Sequence, residues 1–359
     1  MPRLARSTRR IALPLAVLAA TVAALVGAAA GGPLHAAASD RHDDASRYTV
    51  GLFGDMPYNA LGKAQYPNLL ADINAHDVAF SFFDGDLKSG GDGGCVDSLY
   101  TTARSNFNLL RNPLIVVPGD NDWTDCWGRY GPTTAPFFDP EERLDHERAL
   151  FYPTNRSLGQ HTLTMARESA EGGAYAAYRE NARFDRGPVT FIALNEQGSN
   201  DNLPHAGVDG ETRSAAEIAR QTAEHDARLA ANLHWLDESF AHARRVGSKA
   251  VMIVWQADPN FNNEQHLADT RSWDAYPAYV SALRDLVVAF PGQVVLVHGD
   301  SHYFKLDKPL SGPGGGVLAN FTRVETFGAR NSHWVSATID PESPNLFVFE
   351  PRVVPANAD

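Results

Sequence analysis

Cysteine is nearly absent from this chain: only Cys95 and Cys126 occur in 359 residues. That excludes a metal centre built on several thiolates, and the spacing of the pair suggests no cysteine ligation at all. Positive charge is also scarce. The formal net charge is −12, and a chain without the four arginines before residue 39 stands near about −16. Such a surface repels polyanions, so no nucleic-acid partner is expected, nor any general attraction to anionic membranes. A small anionic substrate held through metal is still compatible with it. Beyond the N-terminal region there is no internal repeat, no low-complexity tract and no convincing linker, so one domain is expected. Extended disorder is excluded too, because 43% hydrophobic and 21% charged residues describe a globular chain.

The N-terminus carries a targeting pattern. Arg3, Arg6, Arg9 and Arg10 precede an apolar run over residues 11–30, and Ala36, Ala37 and Ala38 supply a small-residue cleavage site. Residues 1–38 therefore read as a signal peptide, and Ser7 to Leu13 resembles a twin-arginine signal. Left uncleaved, the run is long enough to span a bilayer as an anchor. Either way the folded part is expected outside the cytoplasm: secreted, periplasmic or at the cell surface. No stable membrane partner is expected unless the leader is retained. Residues 39–47 read as a flexible lead-in, 48–353 as the domain and 354–359 as a tail. In an exported chain, Cys95 and Cys126 in adjacent loops read as a disulfide bracing those loops, with two buried free thiols as the other reading.

Short apolar runs that end in oxygen-rich residues organise the rest. Tyr48 to Phe53 runs into Asp55, Val78 to Phe83 into Asp86, and Pro113 to Pro118 into Asp120, Asn121 and Asp122. Lys249 to Trp255 ends at Gln256, and Gln293 to Val297 leads to Asp300 and His302. Helical patterns lie between them near 65–75, 97–110, 214–245 and 275–289. This alternation predicts parallel strands with right-handed crossovers. Residues 127–187 read as an irregular insertion containing one helix at 140–151, and the last three apolar segments as consecutive antiparallel strands. One Gly-Asp after a strand is commonly a turn or a helix cap. Four such strand ends together suggest a shared site.

The candidate ligands are Asp55, Asp86, Asn121, Gln256, Asp300 and His302. Oxygen donors with a single imidazole suit Mg, Mn, Ca or Fe. Two ions held there, with Asp86 bridging, would clamp a phosphoryl group and activate water. Lys88, two residues past Asp86, is a candidate for binding substrate phosphate, and His298 is a second substrate-binding candidate.

In order, the motifs "GDMPY", "DGDLKSG", "GDND", "VWQADP" and "HGDSH" resemble those of the calcineurin-like metallophosphoesterase family over residues 48–353. The resemblance implies an α/β fold in which two mixed sheets pack as a sandwich flanked by helices. It implies a first metal on Asp55, Asp86 and His302 and a second on Asp86, Asn121, Gln256 and Asp300, with a small phosphorylated substrate attacked by water. Asn121 and Asp122 would be the catalytic pair. Four family histidines are replaced here, by Pro57, Asp122, Gln256 and Asp300. Asp122 could act as an acid only with a pKa raised well above about 3.9. The expected activity is phosphoester hydrolysis at a di-metal site; the alternative is a non-catalytic metal- or anion-binding module on the same scaffold. The insertion at 127–187 and the loop at 197–211 are expected to shape the substrate.

Overall fold

The computed structural model describes residues 47–90, 94–127, 138–204, 214–259, 261 and 275–358. The signal peptide and nearly all of the lead-in lie outside the described residues. Among those described, no helix is long and apolar enough to cross a membrane.

Period-two alternation sets the layers. In β1, Tyr48–Phe53, Val50 and Leu52 enter one core and Phe53 another. In β7, Ala250–Val254, Met252 and Val254 face that first core, while Val251 and Ile253 face a third. Strands apolar on both faces must be covered on both, and two mixed sheets achieve this by packing face to face. One sheet has the order β12-β11-β1-β2-β3, with β2 at Phe80–Phe83, β3 at Leu114–Val116, β11 at Trp334–Ile339 and β12 at Phe347–Arg352. The other has the order β4-β5-β6-β7-β8-β10-β9. Its remaining members are β4 Ala166–Arg167, β5 Ala182–Arg186, β6 Val189–Ala193, β8 Gln293–His298, β9 Lys305–Asp307 and β10 Phe321–Glu325. Aromatic rings fill the seam: Phe80 meets Phe191 edge-on at 5.0 Å, and Phe184 stacks on Phe191 at 5.1 Å.

Helices cover the outer faces. α1 (Ala60–Ala75), α2 (Asp97–Phe107) and α3 (Pro140–Phe151) bury Leu69, Leu70, Ile73, Tyr100, Phe107 and Phe151 in the core that also takes Phe53 and Phe83. A single turn, α4 (Gly198–Asp201), precedes two long helices, α5 (Ala215–Val246) and α6 (Tyr276–Ala289). These bury Trp235, Leu236, Phe240, Leu283 and Val287 against the second sheet. Ser214 and Glu217 form a reciprocal capping box at the start of α5, and Gly247 ends it with φ 75°.

Two expectations need correction. The C-terminal segments are not three consecutive antiparallel strands. β10 joins the second sheet parallel to β8, whereas β11 crosses to the first sheet and lies antiparallel to β1. An apolar pattern shows that a strand is buried, not which neighbour it takes. The described part of the insertion is also more regular than expected, because β5 extends the second sheet antiparallel to β6. Its sequence, Ala182 to Arg186, carries two arginines and an aspartate and so hides the strand signal.

Cys95 and Cys126 form a disulfide with Cα atoms 5.6 Å apart across a sequence separation of 31. It ties the loop after β2 to the turns after β3. By the loop-closure argument, the Cys95→Ser/Cys126→Ser protein should lose about 3.7 kcal/mol, read as a lower urea midpoint.

Glu168, just after β4, is buried at 0% exposure. Burial pushes its pKa up to about 8, against the opposing hydrogen bond from the Asn181 amide. A carboxyl raised in the folded state favours folding fully below its unfolded pKa near 4.5 and loses that advantage as pH rises through about 8. Denaturation from pH 5 to 9 should show a loss of up to about 4 kcal/mol from this group, and Glu168→Gln should flatten that slope.

Candidate metal centre

The parallel strands of both sheets end on one edge, and their carboxyl ends converge there. From the first sheet come Asp55 after β1, Asp86 after β2, and the 3-10 turn Asp120–Asp122 after β3. From the second come Gly198 and Ser199 after β6, Gln256 after β7, and Asp300 and His302 after β8. A cavity of about 260 Å³ opens between the two sets, lined by Tyr58, Asp86, Ser89, Gly90, Asp120, Asn121, Asp300 and His302. Asp55 lies directly behind His302, whose Nε2 is 3.6 Å from Asp55 Oδ1.

The backbone is contorted to present these groups. Asp55, Asp86, Asp300 and His302 all have positive φ, at 51°, 70°, 74° and 65°. Ser199 to Asn202 are left-handed as well, so α4 is a left-handed turn at the rim. Only two other described non-glycine residues, Arg330 and Leu346, share that region, so the strain is concentrated at the cavity. Two glycines permit the close approach of the chains. A Cβ at Gly119 would fall 2.1 Å from Asp86 Oδ1, and one at Gly299 would fall 2.1 Å from Asp55 Oδ2.

Asp86 sits at the centre. Its Oδ2 accepts from the Tyr58 hydroxyl at 2.6 Å and from the Asn121 amide at 2.5 Å, and its Oδ1 accepts from the Asn121 backbone N–H at 3.0 Å. The Tyr58 hydroxyl also lies 3.2 Å from Asp55 Oδ1, so the phenol is wedged between the two carboxylates. Asp55 Oδ2 accepts from the Asp300 N–H at 2.9 Å, a direct link across the two sheets. Asp120 accepts from the Gln256 amide at 3.3 Å and from the Ser199 hydroxyl.

Electrostatics makes the cavity hungry for a cation. Burial raises the pKa of Asp86 well above the ordinary carboxylate range, and Asp120, Asp55 and Asp122 push it further. Asp300 is raised by burial and by Asp120, Asp55 and Asp258. Burial alone would depress His302, but the adjoining Asp55 carboxylate outweighs it and raises the imidazole. Among the described residues, four carboxylates crowd one small space, and the imidazole of His302 lies against one of them. That donor set fits a hard divalent ion.

The structure thus brings together Asp55, Asp86, Asn121, Asp300 and His302. It places four other candidates differently. Gln256 is fully buried behind Asp120, and its Oε1 is taken by the Gly198 N–H at 2.6 Å. Asp122 does not line the cavity. Its Oδ1 accepts from the Leu87 N–H at 2.6 Å, and its Oδ2 accepts from Gly119 at 2.8 Å and Asp86 at 3.0 Å. Burial pushes its pKa up to about 6 while those backbone N–H groups pull it down. Lys88 is buried at 4% exposure, with Nζ donating to the Ser89 carbonyl. His298 is buried away from the cavity, its Nδ1 on the Gly299 carbonyl. Sequence reasoning missed Tyr58, Asp120 and Ser199 as contributors. Tyr58 stands within the "GDMPY" motif, three residues past Asp55, and was the most findable of them.

The chain matches no protein-family model and no curated protein sequence. Among solved structures it is similar to GAP50, the anchor in the inner membrane complex of Plasmodium, at 10% identity and TM-score 0.44, over 86% of this chain and 89% of that one. It is also similar to the sulfate thiohydrolase SoxB of Thermus thermophilus, at 14% identity and TM-score 0.37. A third is a 5'-nucleotidase from Candida albicans, at 10% identity and TM-score 0.41. These two likenesses cover 82% and 85% of this chain, which spans only 42% and 50% of the proteins concerned. At such values the likenesses carry no argument about this chain. The fold itself is an α/β sandwich of two mixed sheets flanked by helices, with an acidic cavity at the strand ends.

Proposed function

We propose that the protein is an exported metal-dependent hydrolase of phosphoester bonds. The observation that carries this reading is the convergence of Asp55, Asp86, Asp120 and Asp300 with Asn121 and His302 around one open cavity. Asp55, Asp86 and His302 would hold one divalent ion, and Asp86, Asn121 and Asp300 a second, with Asp120 beside them. Divalent ions bound there supply positive charge for phosphoryl oxygens and lower the pKa of water. The chain's own part is positional. Asn121 and Tyr58 orient Asp86 through hydrogen bonds. Asp122 fixes the loops carrying Asp86 and Gly119, which assigns it positioning rather than proton transfer. Gln256 braces Asp120 against the turn at Gly198. Among the described residues, His302 is the imidazole at the rim and the group best placed to exchange a proton with a leaving group.

A second reading, a metal- or anion-binding module without catalysis, is favoured by one observation: the Tyr58 hydroxyl occupies the gap between Asp55 and Asp86. The two readings part on one experiment. The purified protein is analysed for bound metal, then assayed on generic phosphomonoesters and diesters with Mn, Mg, Ca and Fe supplied. Asp86→Ala and Asn121→Ala proteins serve as controls. Hydrolysis that needs added metal and disappears in both variants supports the enzyme. Metal uptake without hydrolysis supports the module. A protein that holds no metal, and whose variants match its rate, sinks both.

A further inference from the structure

A second polar cluster lies behind the cavity wall, at the carboxyl ends of the adjacent strands β7, β8 and β10. Asp258, His298 and Glu325 each offer a ligand atom there, all within 4.8 Å of one another, and all three residues are buried. None of the three lines the cavity described above. The register is the cause: His298 and Glu325 are direct partners in the parallel pairing of β8 with β10.

The imidazole supplies an independent sign. His298 is 0% exposed, and its Nδ1 lies 2.9 Å from the Gly299 carbonyl oxygen. A carbonyl only accepts, so Nδ1 carries the proton and Nε2 carries the lone pair. That Nε2 is buried with no hydrogen-bond partner. A histidine that donates one ring N–H to a backbone carbonyl and leaves its other nitrogen bare is oriented as metal-ligating histidines are. The nearby cations are engaged elsewhere or reach in from the surface. Lys305 Nζ is 2.7 Å from Glu325 Oε2, and its side chain is 40% exposed, so solvent is open to it if a cation takes its place. Arg323 is 3.7 Å from Asp258 and is held by Asp307.

We propose that Asp258, His298 and Glu325 form a separate structural site for a first-row divalent cation such as zinc, which displaces the Lys305 ammonium. One imidazole with two carboxylates is a donor set for such ions. The site lies under the loop that carries Asp300 and His302. Ser301 Oγ donates to Asp258 at 3.2 Å, the Tyr303 N–H faces Glu325 at 3.4 Å, and the Asp258 N–H faces Asp300 Oδ2 at 3.3 Å. A cation there pegs that loop to the sheet.

The test separates this site from the cavity by using the full chain with Asp86→Ala and Asn121→Ala. After chelator treatment and dialysis against zinc, this protein should retain one equivalent. Adding His298→Gln or Glu325→Gln should remove it, and Lys305→Met should tighten binding at least tenfold. Where the histidine variant misfolds, cobalt(II) bound to the cavity-disabled protein provides the readout, through an absorption spectrum of mixed nitrogen and oxygen ligation. Retention of no zinc by the cavity-disabled protein overturns the proposal, as does zinc that is indifferent to both added substitutions. Neither result touches the assignment of hydrolysis, which rests on the undisturbed cavity.

Discussion

The Asp86→Asn protein is expected to be more stable than the parent in the absence of metal, and close to inactive in its presence. Asp86 is buried among Asp55, Asp120 and Asp122, and each raises the cost of its charge. Removing that charge relieves the repulsion, so the metal-free protein should gain about 1–2 kcal/mol, read as a higher melting temperature in chelator. The amide cannot bridge two cations as a carboxylate does. The melting-temperature rise that Mn or Mg gives the parent should therefore shrink sharply, and phosphoester hydrolysis should fall at least about a hundredfold. Most substitutions of buried polar residues lose stability and function together. A gain in one with loss of the other would mark Asp86 as held in place for chemistry. An Asp86→Asn protein that is less stable without metal would show Asp86 to be part of the scaffold instead.

The second large effect is expected at Arg228. It is wholly buried on α5 and ion-paired with Asp201, itself 0% exposed. Its Nη2 donates to the Asp201 carbonyl at 2.8 Å, its Nε to Glu224 at 2.8 Å and its Nη1 to the Asn195 carbonyl at 3.1 Å. The guanidinium also lies 5.3 Å from the Trp123 ring centre, beside the turn that carries Asn121. Arg228→Leu strips the buried Asp201 charge of its guanidinium and leaves it His225, 3.3 Å away, and the Tyr279 hydroxyl, at a cost of about 3 kcal/mol in urea denaturation. Left-handed residues such as Ser199 to Asn202 cost about 1–2 kcal/mol each and persist only while surroundings enforce them. The turn should therefore relax, releasing Ser199 from Asp120. Arg228→Leu combined with Asp201→Asn should recover part of the loss, because the stranded charge is gone. Equal stability of the single and double variants would mean that the pair is not what holds the turn.

The sequence disclosed the layered α/β plan because its strands are apolar on both faces and alternate with helical patterns. Asp55, Asp86, Asn121, Asp300 and His302 were legible for a related reason: each follows an apolar run closely, and parallel strands deliver their ends to one edge. The remaining roles depend on partners that leave no trace in a residue string. Asp122 read as a catalytic residue and Gln256 as a ligand, but backbone N–H groups of Leu87, Asp86, Gly119 and Gly198 claim their oxygens. Every residue except proline has an N–H, so composition cannot show which one points at a carboxylate. Asp120 takes its partners, Ser199 and Gln256, from distant segments. β5 and the edge strand β9 were hidden because both carry charge where central strands carry valine.

The contact between the Asp300 N–H and Asp55 Oδ2 has a wider consequence. Each half of the cavity belongs to a different sheet, and Phe80, Phe82, Phe184 and Phe191 set the spacing between those sheets. The cavity therefore behaves like the jaws of a caliper whose screw is the aromatic seam. Trimming a ring far from the carboxylates is expected to change the gap between Asp55 and Asp300, and with it the ion the proposed site would accept. Metal preference would then drift by substitution in the hydrophobic interior, with every carboxylate left in place.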